Sequence, residues 1–215
     1  MNLQQLRTQT RIYLDDRQAD RWSNVEIHSL INAAKDEIQK IIDEADEGFF
    51  SGCQNYAVER CETSFEFALP TDFKKVILAE RLQASGDPIP AVWTQFQRRH
   101  YETGSMAGYT ILSQPVCYLR GTNLGVVEPQ DAYTLRVWYT KRLPDMAGDS
   151  DTTEIPPEYH NLIALYSARL GLGAEASSLP EQLEKEFAEE MGRLSIHIET
   201  RQKQDPRSVI YIEED

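Results

Sequence analysis

Residues 22–68 read WSNVEIHSLINAAKDEIQKIIDEADEGFFSGCQNYAVERCETSFEFA. The pattern of this stretch changes halfway, and the change decides the fold class. Ile27, Leu30, Ile31, Ala34, Ile38, Ile41, Ile42 and Ala45 recur at helical spacing and mark one apolar face. Asp36, Lys40, Asp43 and Glu47 fall on the wet side. Ser23 with Glu26 three residues on is a capping box, in which each side chain meets the other's backbone amide. Trp22 and Ile27 are placed as the staple across that cap. The spacing predicts a helix from Asn24 to Glu47, stopped by Gly48. From Ser51 the helical period is gone, and 55–60 and 64–68 read as short strands.

Upstream, Leu3, Leu6, Thr10 and Tyr13 predict a first helix over 2–15, with Ile12 and Leu14 beside the stripe and a polar loop after it. Downstream, strands are predicted at 74–82, 109–112, 116–120 and 133–140, with a short helix over 93–101. Turns fall at 69–73, 86–90 and 121–125. Tyr133, Leu135, Val137 and Tyr139 alternate with Thr134, Arg136, Trp138 and Thr140, the pattern of a strand with one core face. The segment reads as a small antiparallel sheet.

A polar loop over 141–153 leads back to helices. Pro157 suits the first position of a third helix, whose inner face carries Tyr159, Leu162, Ile163, Tyr166 and Leu170. Gly171-Leu172-Gly173 ends or loosens it. A fourth helix begins near Ser178-Leu179-Pro180, with Leu183, Phe187, Met191, Leu194 and Ile198 as its stripe. The expected class is therefore α+β. The N- and C-terminal segments, 1–50 and 154–201, form a four-helix core. An antiparallel β region with its return loop, 51–153, is inserted in it, and 202–215 is an extended C-terminal arm.

The 215 residues suffice for one large domain or a domain with an insertion. No apolar run approaches the ~20 residues of a membrane helix. Residues 1–7 lack the apolar core of a signal peptide, so a cytoplasmic origin and no membrane partner are expected. A net charge of −13 opposes nucleic-acid binding through the general surface, which needs Lys and Arg on phosphates. The same charge suits a wall past which DNA slides, or simply solubility.

No catalytic constellation stands out. Cys53, Cys61 and Cys117 are odd in number and lack C-x-x-C spacing. Cys53 and Cys61 could meet on neighbouring strands, but small buried residues are the plainer account. His28, His100, His160 and His197 show no metal spacing. His160 beside Glu158 reads as a helix-start residue, and Ser195 and His197 do not share a helix face. Asp149, Asp151 and Glu154 share a loop without the regular ligand spacing of a cation site. Gly121/Gly125 and Gly171/Gly173 lack the context of a phosphate loop. Arg98-Arg99-His100-Tyr101 is the densest basic and aromatic cluster, able to touch DNA or an acidic partner, but an exposed amphipathic helix edge is the plainer account. No catalytic residue, cofactor or metal is expected.

The tail carries the sharpest local signal. Val209-Ile210-Tyr211-Ile212 is a β-prone run after a proline. An isolated strand cannot satisfy its backbone groups. It folds back, stays disordered, or pairs with a sheet edge in another chain, which makes these four residues a candidate partner-binding arm.

Four stretches together carry a family resemblance. They are LRTQTRIYLDD…ADRWSNVEIHSLINAAKDEIQ, FALPTDFKKVILAE, YTLRVWYTKRLPDM and DTTEIPPEYHNLIALYSA. In their order the chain resembles head-to-tail adaptor (connector) proteins of tailed bacteriophages. The resemblance implies a structural, non-enzymatic homo-oligomer: a ring, usually twelve-fold, beneath the portal protein. Such a ring extends the DNA channel, passes DNA without sequence-specific binding, and offers a platform to the tail or its nozzle. Its place would be the virion's head–tail interface, after assembly in the host bacterial cytoplasm. Two other readings are another head-completion or tail component, and a small enzyme with a site around Glu158, His160, Asp149 and Asp151.

Overall fold

A computed structural model of the chain describes residues 1–60, 65–83, 87–95, 114–127, 129, 131–174 and 180–204. It holds both helices and antiparallel sheets, in two compact units. One comprises Met1–Glu47 with the chain from Leu143 onward, the other Gly48–Arg142.

The first unit is helical, with α1 at Leu3–Tyr13, α2 at Asn24–Ala45, α3 at His160–Ala174 and α4 at Glu181–Gln204. Both early helices start on capping boxes, Asn2 with Gln5 and Ser23 with Glu26. The second follows the sequence expectation. The first adds a cap that the apolar spacing did not reveal. Leu162, Ile163, Ala164 and Leu165 are all buried, so α3 is apolar nearly all round and packs against α1, α2 and α4. Gly171 does not end α3. Leu14, Trp22 and Leu30 crowd the place where its side chain would stand, so this glycine permits a close approach inside the helix. Phe187, Leu194 and Ile198 of α4 are buried on the expected stripe. On α2, Asp43 is buried rather than wet, and Ala45 is exposed.

The connection between α1 and α2 is organised by charge. Asp16 accepts from the amides of Asp20 and Arg21 at 3.0 Å each and Trp22 at 3.2 Å, and pairs with the guanidinium of Arg11. Burial opposes its charge, but these amides and Arg11 together hold its pKa below the ordinary value. Arg11 also donates to the carbonyl of Trp22 and to Asn24. Within this loop Asp15 and Ala19 take left-handed backbone, at φ 52° and 60°.

Among its described residues the second unit contains eight strands: β1 Ser51–Val58, β2 Phe65–Ala68, β3 Phe73–Leu82, β4 Ile89–Pro90, β5 Val92–Trp93, β6 Val116–Arg120, β7 Asn123–Val126 and β8 Tyr133–Lys141. They form two sheets rather than the one expected, ordered β1-β8-β3-β4 and β2-β7-β6-β5. Pairing is antiparallel except for the short β5–β6 pair. The alternation along β8 holds, with Leu135, Val137 and Tyr139 buried. Leu135 and Val137 join Val58 and Ala79 of their own sheet, and Cys117, Leu124 and Val126 of the other, in one core. The two sheets therefore bury a shared interior.

Three local expectations change. Trp93 lies in a strand, not at a helix start, because Val92 and Trp93 pair with Val116 and Cys117. The β6–β7 turn is only Gly121-Thr122, so Leu124 and Gly125 belong to a strand. Gly121 has φ 58°, which a tight hairpin needs. The first strand starts at Ser51, four residues before the expected Asn55. The strand expected over 109–112 and the rest of the helix expected over 93–101 lie outside the described residues.

Candidate functional site

The three described histidines, His28, His160 and His197, all make contacts within the fold, and His100 lies outside the described residues. His160 is buried; its Nε2 meets the carbonyl of Ile155 at 2.8 Å, and its Nδ1 meets the N-terminal amine. Desolvation lowers its pKa, with the terminal amine adding to the effect, which favours the neutral ring. Both ring nitrogens are thus occupied, and the Glu158–His160 pair is not assembled. The carboxylate of Glu158 instead lies 3.8 Å from His197, whose ring meets Tyr159 edge-on. Ser195 donates to the carbonyl of Met191 at 3.1 Å, so it makes no pair with His197. His28 contacts Arg7 at 2.9 Å, and burial and Arg7 lower its pKa.

The acidic loop is equally committed. Asp151 accepts from the amides of Ala147 at 2.9 Å and Gly148 at 2.8 Å, bonds that hold its pKa low. Asp149 pairs with Arg7 at 2.9 Å. The carbonyls of Asp151 and Asp149 receive the first amides of α1, from Leu3 at 2.9 Å and Gln4 at 3.1 Å. The loop therefore closes the N-terminus of α1, whose leading amides have no partner within the helix. Among the described residues no group of three or more His, Cys, Asp or Glu is placed to hold a metal ion.

Three polar residues of α2 grip the same returning segment. Asn32 exchanges two hydrogen bonds with the backbone of Met146, both 3.0 Å. Lys35 is fully buried and donates to the carbonyls of Leu143 and Pro144, at 3.0 and 3.1 Å, and to Asp145 at 3.1 Å. Its ammonium also pairs with Asp36 at 2.9 Å. Gln39 accepts from the amide of Leu143 at 3.1 Å. The apolar period of α2 hid this ladder. The readable hint was the spacing of 32, 35 and 39, three and four residues apart along one side of the helix.

Of the other candidates, Cys53 is exposed and Cys117 buried, its thiol pushed up to about 12 by desolvation. Cys61, the 98–101 cluster and Val209, Ile210, Tyr211 and Ile212 lie outside the described residues. A groove of about 450 Å³ is lined by Met1, Gln4, Gln5, Thr8 and Gln9, and the Thr8 hydroxyl there donates to the carbonyl of Gln4 at 2.9 Å. No helix among the described residues is long and apolar enough to cross a membrane.

Charge divides along the same boundary as the chain. The helical unit carries 26 acidic against 12 basic side chains, whereas the β unit has nine against ten. The negative excess therefore belongs entirely to the helical part. The two units thus differ in charge, and the described candidates His160, Asp149 and Asp151 are engaged in structural contacts. Comparison with protein families agrees: the family described as SU10 adaptor protein matches residues 1–210. The chain belongs to that family. It is a family of phage adaptors, and membership points to a structural component of the phage particle that meets portal and tail proteins. Membership also points away from catalysis. No curated protein matches the adaptor's sequence.

Proposed function

We propose that this adaptor is a head-to-tail connector subunit. Copies form a closed ring, of about a dozen subunits, beneath the portal. The ring prolongs the DNA channel and presents a platform to the tail or nozzle. In this reading the helices form one core, the β unit is carried on it as an insertion, and the residues after 201 form the arm.

The observation that carries the reading is the family match across residues 1–210. The division of charge supports it. A helical unit with 26 acidic and 12 basic side chains repels phosphates and suits a channel wall. The near-neutral β unit suits protein contact instead. Catalysis around Glu158 and His160 finds no support, since His160 is buried with both nitrogens engaged.

Peptide mass spectrometry of purified particles tests this, with copy number scaled to the major capsid protein. About a dozen copies is the expected result for a ring. Absence from the particle would remove the connector reading, along with any other head-completion or tail role.

A further inference from the structure

Arg7 of α1 ties three parts of the helical unit together. Its Nη1 stands 2.9 Å from Nε2 of His28 on α2, and its two terminal nitrogens donate to Asp149 at 2.9 and 3.3 Å. Asp149 belongs to the loop whose carbonyls, at Asp149 and Asp151, receive the amides of Gln4 and Leu3. One guanidinium therefore joins the first turns of α1 both to α2 and to the loop that closes the N-terminus of α1.

The chemistry of the pair fixes the state of the imidazole. A guanidinium carries only donors and keeps its charge at any ordinary pH. Nε2 of His28 must therefore accept, which places the ring proton on Nδ1 and leaves the ring neutral. A proton added to Nε2 turns the acceptor into a donor and sets two cations face to face. The charges that bear on the partly buried ring are Arg7 and Arg11 from α1 and Asp149 from the loop. Two cations oppose a charged His28 and one carboxylate favours it. That carboxylate is already paired with Arg7 and is mostly exposed, so water screens its pull on the ring.

We propose that His28 is an acid-sensitive latch: its neutral ring holds Arg7, and with it the first turns of α1, against α2 and the 147–151 loop, and its protonation loosens that end of α1. The latch lies within the helical unit and is independent of how copies assemble. Burial and the Arg7 charge hold the His28 pKa below its ordinary 6.5. A histidine depressed in this way contributes stability that is present above the ordinary value and lost as pH falls through the folded one. The latch is thus closed at neutral pH and opens on acidification.

Hydrogen exchange of the full-length chain tests this. It is read by mass spectrometry in the peptide spanning residues 1–9 at pH 7 and pH 5, with rates corrected for the intrinsic effect of pH. The parent is expected to lose protection there at pH 5. His28→Gln keeps an oxygen that accepts from Arg7 but does not titrate, so its loss should be several-fold smaller. His160 titrates alike in both chains, and the difference between them belongs to His28. Equal losses in parent and variant overturn the proposal, as does a parent equally protected at both pH values. Long-range nitrogen–proton NMR of the parent needs no variant. It should show the His28 proton on Nδ1 at pH 7, and a ring protonated on Nε2 there overturns the latch.

Discussion

The ring of Tyr118 on β6 covers Gly125, its partner on β7, and occupies the space where a side chain there would stand. Tyr118 is fully buried, and its hydroxyl donates to Glu66 at 2.9 Å. The other sheet repeats the device. Tyr139 covers Gly52, its partner on β1, and donates to Asp72 at 3.2 Å. In each case an aromatic ring takes the place of a missing side chain and ties a glycine-weakened strand to its neighbour.

Gly125→Ala forces Tyr118 out of place, so a loss of about 2 kcal/mol or more is expected, the range of core overpacking. Gly52→Ala brings a Cβ within 2.6 Å of Tyr139 and should cost a similar amount. Urea unfolding followed by near-UV circular dichroism measures both. A neutral result at either site would mean the tyrosine is free to swing away.

Tyr118→Phe should alter the acid response of the β unit. Hydrogen bonding from Tyr118 is the main cause that holds Glu66 below its ordinary pKa of 4.5. A depressed carboxylate contributes stability that is present above that value and lost as pH falls through the folded pKa. The variant should lose part of this slope, seen by comparing unfolding midpoints at pH 7 and pH 3. Parallel pH profiles would sink the assignment.

Lys35→Met keeps the length of the side chain but leaves the carbonyls of Leu143 and Pro144 without their donor. A cost of about 2 kcal/mol follows from the unsatisfied groups. Hydrogen exchange should rise first at the Leu143 and Met146 amides, which accompany Lys35 in the ladder. Uniform protection along that segment would contradict the anchoring role.

Asp16→Asn removes the charge that Arg11 and three amides converge on. Breaking a buried pair from one side costs about 3 kcal/mol. Because the Asp16 pKa is depressed below 3.8, its contribution is present above that value and lost as pH falls through the folded pKa. The variant should therefore differ from the parent at neutral pH and converge with it in strong acid. A pH-independent gap would assign the loss to packing.

Ala19→Gly is expected to act the other way. At φ 60° alanine pays for a left-handed backbone that glycine adopts freely. A gain of about 0.5–1 kcal/mol in thermal or urea unfolding is expected, since glycine's added freedom in the unfolded chain offsets part of the relief.

The sequence by itself determined the features whose causes lie within a few residues. The Ser23–Glu26 cap, the stripe of α4 and the alternation of β8 are local periods and local hydrogen bonds, and all three stand in the structure. The place of β1 was not legible, because strand order is a long-range property, and β1 pairs with β8 some eighty residues downstream. The burial of Lys35 depended likewise on carbonyls more than a hundred positions away. The division into two sheets, the strand at Trp93 and the tyrosine-covered glycines have the same origin. Periodicity records which side of an element is buried, but not which distant backbone will arrive there. Only tertiary pairing decided that, since satisfying buried polar groups is a property of the whole packed chain.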